Sequence, residues 1–251
     1  MFLARAEGGG VDVSMVYLPG IEGSGALASK FLLKAEGHFP ITRLHYPGHS
    51  RLTIEELADG CVSALAEQGK TSAIWLGDSF GSAVALAIAL KHPRATRGLI
   101  LAGGMTKAPS PVRLLAAARI LDTLPSSWRK KALRRRLQRV VRRHPTRFHR
   151  SVVDEFLING QLDFLSWRLR LLSAFNVRSE LHKLDCPVLY LGGEEDGLVN
   201  TQEESRLLRA TLPSCRTFLF PGCGHAVLGE RAVECLEVID LFIPMAKRVA
   251  A

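Results

Sequence analysis

Apolar positions along the chain keep two rhythms. Short apolar runs of strand length recur at residues 15–18, 41–46, 73–76, 98–102, 187–192 and 216–220. Between them the spacing turns helical. Ile54, Leu57, Cys61 and Leu65 fall on one face of 53–67, with Glu55 and Glu56 in the first turn, where the helix dipole favours acids. A helical stretch also runs up to Leu33, and another closes the chain at about 231–249. From 105 to 183 the strand signal stops, and four amphipathic helices are predicted at 112–121, 129–141, 152–158 and 164–175. Strands alternating with helices imply an α/β fold, a mostly parallel central sheet with helices on both faces. The segment 105–183 is expected as one helical insertion, with 1–104 and 184–251 forming the core.

One stretch departs from plain alternation. Residues 72–90 read SAIWLGDSFGSAVALAIAL: a buried strand, then Gly77-Asp78-Ser79-Phe80-Gly81, then a helix apolar on all sides. Strand, G-x-S-x-G, helix is the context of a nucleophile elbow, a turn so tight that the flanking glycines must leave room for the backbone. Ser79 would stand exposed on that turn, at the positive end of the following helix. A serine hydroxyl is a poor nucleophile until a base within hydrogen-bond reach takes its proton.

In a parallel sheet, functional groups collect at the carboxyl ends of strands. After the run at 187–192 comes Gly193-Glu194-Glu195-Asp196-Gly197-Leu198-Val199, and after 216–220 comes Pro221-Gly222-Cys223-Gly224-His225. Ser79, Asp196 and His225 therefore follow in the order serine, acid, histidine. A histidine can take the serine proton and return it to a leaving group, and a carboxylate fixes its tautomer. Asp196 competes with Glu194 and Glu195 in the same loop, and His49 competes with His225. Cys223 has no elbow around it and is expected to be a bystander. Asp78 is expected to serve the N-terminus of the following helix, with electrostatic tuning of the site as the alternative.

Charge adds a feature that periodicity does not. The net charge is +9, yet residues 105–183 hold 18 Lys and Arg against 5 Asp and Glu, so the insertion is basic on a mildly acidic body. Arg134, Arg135, Arg136, Arg139, Arg142, Arg143, Arg147 and Arg150 form the densest run. A solvated helix face explains them; contact with an anionic membrane or an anionic substrate is the sharper reading. No nucleic-acid module accompanies them, and no nucleic-acid partner is expected. Five cysteines without paired spacing fit free thiols in a reducing compartment. The first residues lack a secretory pattern, and no apolar run approaches the length of a membrane span, so a cytoplasmic location is expected. Nothing asks for a metal or organic cofactor.

The elbow at 77–81, the acid loop at 193–199 and the histidine loop at 222–225 together resemble the α/β-hydrolase superfamily with a cap insertion, from about Ser14 to the C-terminus. The resemblance implies an α/β-hydrolase fold, the basic segment 105–183 as its cap, and an oxyanion hole made by the backbone N–H groups of Ile21 and Phe80. In many relatives the loop carrying the first of these begins His-Gly; here it reads Pro19-Gly20-Ile21. Glu22, Phe156, Phe164 and Trp167 are candidate pocket residues, although core packing of the insertion explains the aromatic ones equally. With serine rather than aspartate at the nucleophile position, acyl transfer to Ser79 and then to water is the chemistry that fits. The expected activity is that of a serine carboxylesterase on small to medium apolar esters, without cofactor. Residues 18–25 also resemble the opening of thioesterase domains, which keeps acyl-coenzyme A or acyl-carrier thioesters as the alternative. A non-catalytic ligand receptor on the same fold is the alternative from another class.

Overall fold

The computed structural model describes residues 4–5, 14–141 and 147–248. Its centre is a seven-stranded sheet of β1 (Ala4–Arg5), β2 (Ser14–Leu18), β3 (Ile41–Leu44), β4 (Ala73–Asp78), β5 (Thr96–Ala102), β6 (Val188–Gly193) and β7 (Cys215–Phe220), in the order β1-β3-β2-β4-β5-β6-β7. Strands β2 to β7 run parallel, and β1 pairs antiparallel with β3 at the edge. The expected α/β architecture holds. The two-residue β1 was not expected, because so short a pairing leaves no apolar run to read.

Alternation along each strand sends neighbouring side chains to opposite faces. Met15, Tyr17, Ile74, Leu76, Ile100, Leu189 and Leu191 pack on one face beneath α1 (Ser29–Ala35), the short α9 (Val227–Glu230) and α10 (Ala232–Lys247). Val16, Leu18, Trp75, Leu99, Leu101, Val188 and Tyr190 pack on the other, beneath α2 (Ile54–Ala66), α3 (Phe80–Lys91) and α8 (Thr201–Thr211). The C-terminal helix predicted at about 231–249 is α10, and Arg231, with φ −126° and ψ 44°, separates it from the one-turn α9, which no apolar spacing announces. Helix α2 starts at Thr53, whose side chain accepts from Glu56 N while Glu56 caps the Thr53 N–H. Helix α3 has no polar face because it lies between sheet and neighbouring helices. Trp75, fully buried, donates from Nε1 to Ala95 O at 3.0 Å, and truncating such a side chain costs about 3–5 kcal/mol.

Between β5 and β6 the chain makes α4 (Pro111–Thr123), α5 (Ser126–Val141), α6 (Arg147–Asn159) and α7 (Leu165–Ala174). The two ends of this segment meet: Val177 N donates to Thr106 O at 2.9 Å and Ala108 N to Phe175 O at 2.9 Å. Glu204 on α8 grips both ends, accepting from Thr106 N at 2.9 Å, Thr106 Oγ1 at 2.6 Å and Arg178 Nη2 at 2.7 Å. The helices hold a small apolar cluster of Val153, Phe156, Leu157 and Leu165. That cluster also takes in Ala26 and, partly buried, Ile21 and Leu27 from the loop after β2. The insertion therefore packs on the loop that follows β2.

Candidate active site

Four strand ends converge here. At the end of β4, Ser79 adopts φ 52° and ψ −108°, and it is the one non-glycine with positive φ among the described residues. A strained backbone of this kind costs about 1–3 kcal/mol and persists only where the surroundings hold it. Here they do. Ser79 N donates to Ala102 O at 2.8 Å, and Ser82 Oγ donates to Gly77 O at 2.8 Å. The two glycines are required by space: a Cβ on Gly77 would lie 2.5 Å from Gly81 O, and one on Gly81 would lie 2.2 Å from Leu18 O. The second distance shows how closely the elbow presses against the chain leaving β2.

His225 follows β7 and is buried. Its Nε2 lies 2.8 Å from Ser79 Oγ and its Nδ1 lies 2.7 Å from Asp196 Oδ2. Asp196 follows β6, and its other oxygen accepts from Leu198 N at 2.7 Å and Val199 N at 3.0 Å, which fixes the carboxylate plane. Gly193 lets the two loops approach, since a Cβ there would stand 2.2 Å from Gly224 O. Glu230 Oε2 accepts from Gly224 N at 2.9 Å and steadies the histidine loop. An unbroken line of hydrogen bonds thus joins Ser79 to Asp196 through the imidazole, so a proton leaving Ser79 Oγ has a base to receive it.

The electrostatics follow from burial and neighbours. Burial alone would lower the His225 pKa, but the Asp196 charge and hydrogen bond outweigh it, Asp78 and Glu230 add to them, and the value is raised. Burial would raise Asp196, but His225 and the two backbone N–H groups hold it below the usual carboxylate range. The Cys223 thiol is pushed up to about 12, chiefly by burial, which leaves it no thiolate character. Glu194 and His49 are exposed, and neither replaces its competitor in the hydrogen-bonded line.

Asp78 differs from expectation. It does not cap α3; it is buried and accepts from Tyr17 OH at 3.0 Å beneath the elbow. Its pKa is raised to about 6, mainly by burial, with His225 pulling it down. The reason is geometric: as the last residue of β4, its side chain points into the sheet layer occupied by Tyr17.

Of the predicted backbone donors, Phe80 opens α3, and its N–H belongs to the first turn, where no intrahelical acceptor exists. Ile21 lies in the turn after β2, whose Gly20 O accepts from Gly23 N at 2.9 Å. Glu22 is 1% exposed, and its Oε1 accepts from Gly25 N at 2.7 Å and Ala26 N at 3.1 Å, so that oxygen serves its own loop. Its pKa is raised to about 7 by burial and then by the Asp78 charge. Phe156 packs inside the insertion cluster. Phe164 is half-buried, its ring centroid 5.7 Å from the Arg168 guanidinium. Trp167 is half-buried and donates from Nε1 to Leu52 O at 2.9 Å. Tyr17, Tyr46, Gln161 and Arg168 were not among the candidates, yet all four sit around this loop; nothing in the local sequence pattern reports contacts such as Tyr46 to Pro19 across 27 residues, Tyr17 to Asp78 across 61 and Arg168 to Ile21 across 147.

Among the described residues no group of His, Cys, Asp or Glu side chains is placed to hold a metal ion, and no helix is long and apolar enough to cross a membrane. Of the arginine run, Arg134 and Arg135 are exposed, and Arg134 pairs with Asp154 at 2.6 Å. Arg142 and Arg143 lie outside the described residues, as do the side chains of Arg136, Arg139, Arg147 and Arg150.

The family described as "Serine aminopeptidase, S33" matches residues 42–232, a span that includes Ser79, Asp196 and His225. The chain belongs to that family. This S33 hydrolase is 28% identical to pimeloyl-[acyl-carrier protein] methyl ester esterase of Yersinia enterocolitica, over 75% of its own chain and 77% of that relative. It is 26% identical to phytyl ester synthase 1, chloroplastic, of Arabidopsis thaliana, over 90% of its own chain, but it spans only 36% of that protein's length. The enol-lactonase of Burkholderia xenovorans LB400 superposes with a TM-score of 0.83 at 19% identity, covering 97% of this chain and 96% of that one. That likeness speaks for the α/β-hydrolase fold.

Proposed function

We propose that this S33 hydrolase is a serine esterase in which Ser79 is the nucleophile, His225 the general acid and base, and Asp196 the residue that orients and charges the imidazole. The observation that carries the reading is the continuous contact from Ser79 Oγ to His225 Nε2 at 2.8 Å and from His225 Nδ1 to Asp196 Oδ2 at 2.7 Å. Ser79 Oγ attacks the ester carbonyl as its proton passes to His225. The tetrahedral oxyanion takes hydrogen bonds from the N–H groups of Ile21 and Phe80, each worth about 3 kcal/mol in the transition state. His225 then gives its proton to the leaving alkoxide, and the freed alcohol departs. Water repeats the sequence on the acyl-enzyme, with His225 again as base, releasing the acid and free serine.

Residues 105–183 serve as a cap over this centre, with Phe164 and Trp167 toward an apolar substrate. A small-molecule ester is the substrate class, and free thiols suit a cytoplasmic setting. The exposed Lys130, Lys131, Arg134 and Arg135 on α5 favour an acid-bearing substrate as a second reading, such as an ester or thioester joined to coenzyme A or an acidic carrier. Contact with an anionic membrane would draw on the same side chains.

The test is a substrate panel with purified protein: p-nitrophenyl esters from acetate to palmitate, acyl-coenzyme A thioesters, and proline p-nitroanilide, the last because the family description and the proline iminopeptidase of Saccharolobus solfataricus name peptidases. The highest kcat/KM should fall on an oxygen ester. A higher value on the anilide would overturn the esterase reading, and a higher value on thioesters would move it to the alternative.

A further inference from the structure

The turn that carries the Ile21 N–H is held from outside the hydrolase core. Arg168, on α7 of the insertion, is 3% exposed. Its Nη1 donates to Ile21 O at 2.8 Å, and its Nη2 donates to Gln161 Oε1. The guanidinium carbon lies 5.2 Å from the centroid of the Tyr46 ring. Gln161 in turn donates from its backbone N to Glu22 O at 2.8 Å and from Nε2 to Tyr46 O at 2.5 Å. Two successive loop carbonyls, those of Ile21 and Glu22, therefore end on the insertion. Tyr46 OH holds the loop from the core side by donating to Pro19 O at 3.0 Å.

Gly23 is what allows this approach. It adopts φ +77°, and a Cβ there would stand 2.6 Å from Arg168 Nη1 and 2.7 Å from Gln161 Oε1. Burying a guanidinium is costly unless its donors are used, so its position is strongly specified once the acceptors are in place. The consequence for the Ile21 N–H is geometric. Gly20 O and Ile21 N–H belong to one trans peptide and point in opposite directions. While Gly23 N holds Gly20 O, the Ile21 N–H faces out of the turn; the grip on Ile21 O and Glu22 O keeps the turn closed.

We propose that Arg168, with Gln161, is a positioning residue that latches the insertion to this loop and keeps the Ile21 N–H aimed at the oxyanion. Stabilisation of the tetrahedral intermediate is thereby coupled to the docking of α7. The proposal rests on the reading of Ile21 as an oxyanion donor given above.

Arg168→Met and Gln161→Ala test it on p-nitrophenyl butyrate, with three readouts: kcat and KM, inhibition by a butyl trifluoromethyl ketone that forms a tetrahedral adduct, and inhibition by butyrate. Loss of aim removes an interaction made only in the transition state. Arg168→Met should lower kcat by about 10- to 100-fold with KM within about threefold. Adduct affinity should fall in step, butyrate inhibition should hold, and Arg168→Lys, which retains a donor, should recover part of the rate. If Arg168→Met does not fold, Gln161→Ala decides: a fall in kcat matched by adduct affinity supports the latch, and an unchanged kcat overturns it. Equal weakening of adduct and butyrate binding would also overturn it, since a general loosening of the site does that. Ser79→Ala run alongside separates the two levels: if it retains activity, the esterase reading fails; if it is inactive while both latch variants keep full kcat, the latch alone fails.

Discussion

Gly81→Ala probes the contact on which the site geometry depends. A Cβ at this position would lie 2.2 Å from Leu18 O and 2.8 Å from both Leu18 C and Pro19 O. All three are backbone atoms, so no rotamer change relieves the clash. Carbon and oxygen normally approach to about 3.3 Å at closest, so the start of α3 and the chain leaving β2 must separate by roughly 1 Å. Overpacking of this kind costs about 1–3 kcal/mol, which in a chain of this size lowers Tm by about 2–4 °C per kcal/mol. The larger effect is on rate. The same movement carries Ile21 away from Ser79, and a displacement of about 1 Å in a catalytic site can cost about 100-fold. The assay is kcat on p-nitrophenyl butyrate together with calorimetric Tm. Gly37→Ala is the control, because a Cβ there would meet Lys34 O at an ordinary 3.5 Å. Gly81→Ala should lose rate far out of proportion to stability. If it keeps kcat within twofold and Tm within a degree, the loop does not press on the elbow and the proposed oxyanion geometry is wrong.

Asp196→Asn keeps an oxygen for Leu198 N and Val199 N but turns an N–H toward His225 Nδ1; that forces the tautomer unable to take the serine proton, and kcat should fall about 10⁴-fold, as it does in the best-studied triad. As the proposed base, His225 would have to be neutral to act, and its pKa is raised above 6.5, so kcat/KM should be full at alkaline pH and decline as pH falls through a value above 6.5. Asp78→Asn removes one of the charges that raise it, so the acidic limb should move to lower pH; an unmoved limb would show that the Asp78 charge does not act on His225. Glu204→Ala strips the acceptor from Thr106 and Arg178 and should destabilise the protein by about 2–3 kcal/mol, read as a lowered midpoint in urea.

How much of this was legible in the sequence depended on how local the cause was. The sheet could be read because parallel strands buried on both faces leave continuous apolar runs, as 73–76 and 187–192 do. The elbow could be read because Gly77 and Gly81 are demanded by contacts within a few residues of Ser79 and by one neighbouring strand. The insertion helices followed from their spacing: in the one predicted at 129–141, Leu133, Leu137, Val140 and Val141 fall on one apolar stripe, of which Leu133 and Leu137 pack, partly buried, on the insertion cluster, while the side chains of Val140 and Val141 lie outside the described ones. What escaped was pairing at a distance. Asp78 meets Tyr17 across 61 positions and Arg168 meets Ile21 across 147. A buried carboxylate beside an elbow looks like a helix cap until the neighbouring strand supplies its phenol. The short α9 escaped for a simpler reason, since the four residues of Val227–Glu230 make one turn and leave no periodicity to read, whereas the longer α10 was legible.

The central claim is that Ser79 carries the acyl group. The direct measurement is intact-protein mass spectrometry during turnover of p-nitrophenyl butyrate, quenched in acid within the first turnovers, on the native chain and on Ser79→Ala. The account predicts a butyryl adduct that maps to the peptide holding Ser79, accumulates with the burst of nitrophenol and is absent in Ser79→Ala. Hydrolysis at the native rate by Ser79→Ala, or an adduct on another residue such as Cys223, would contradict it.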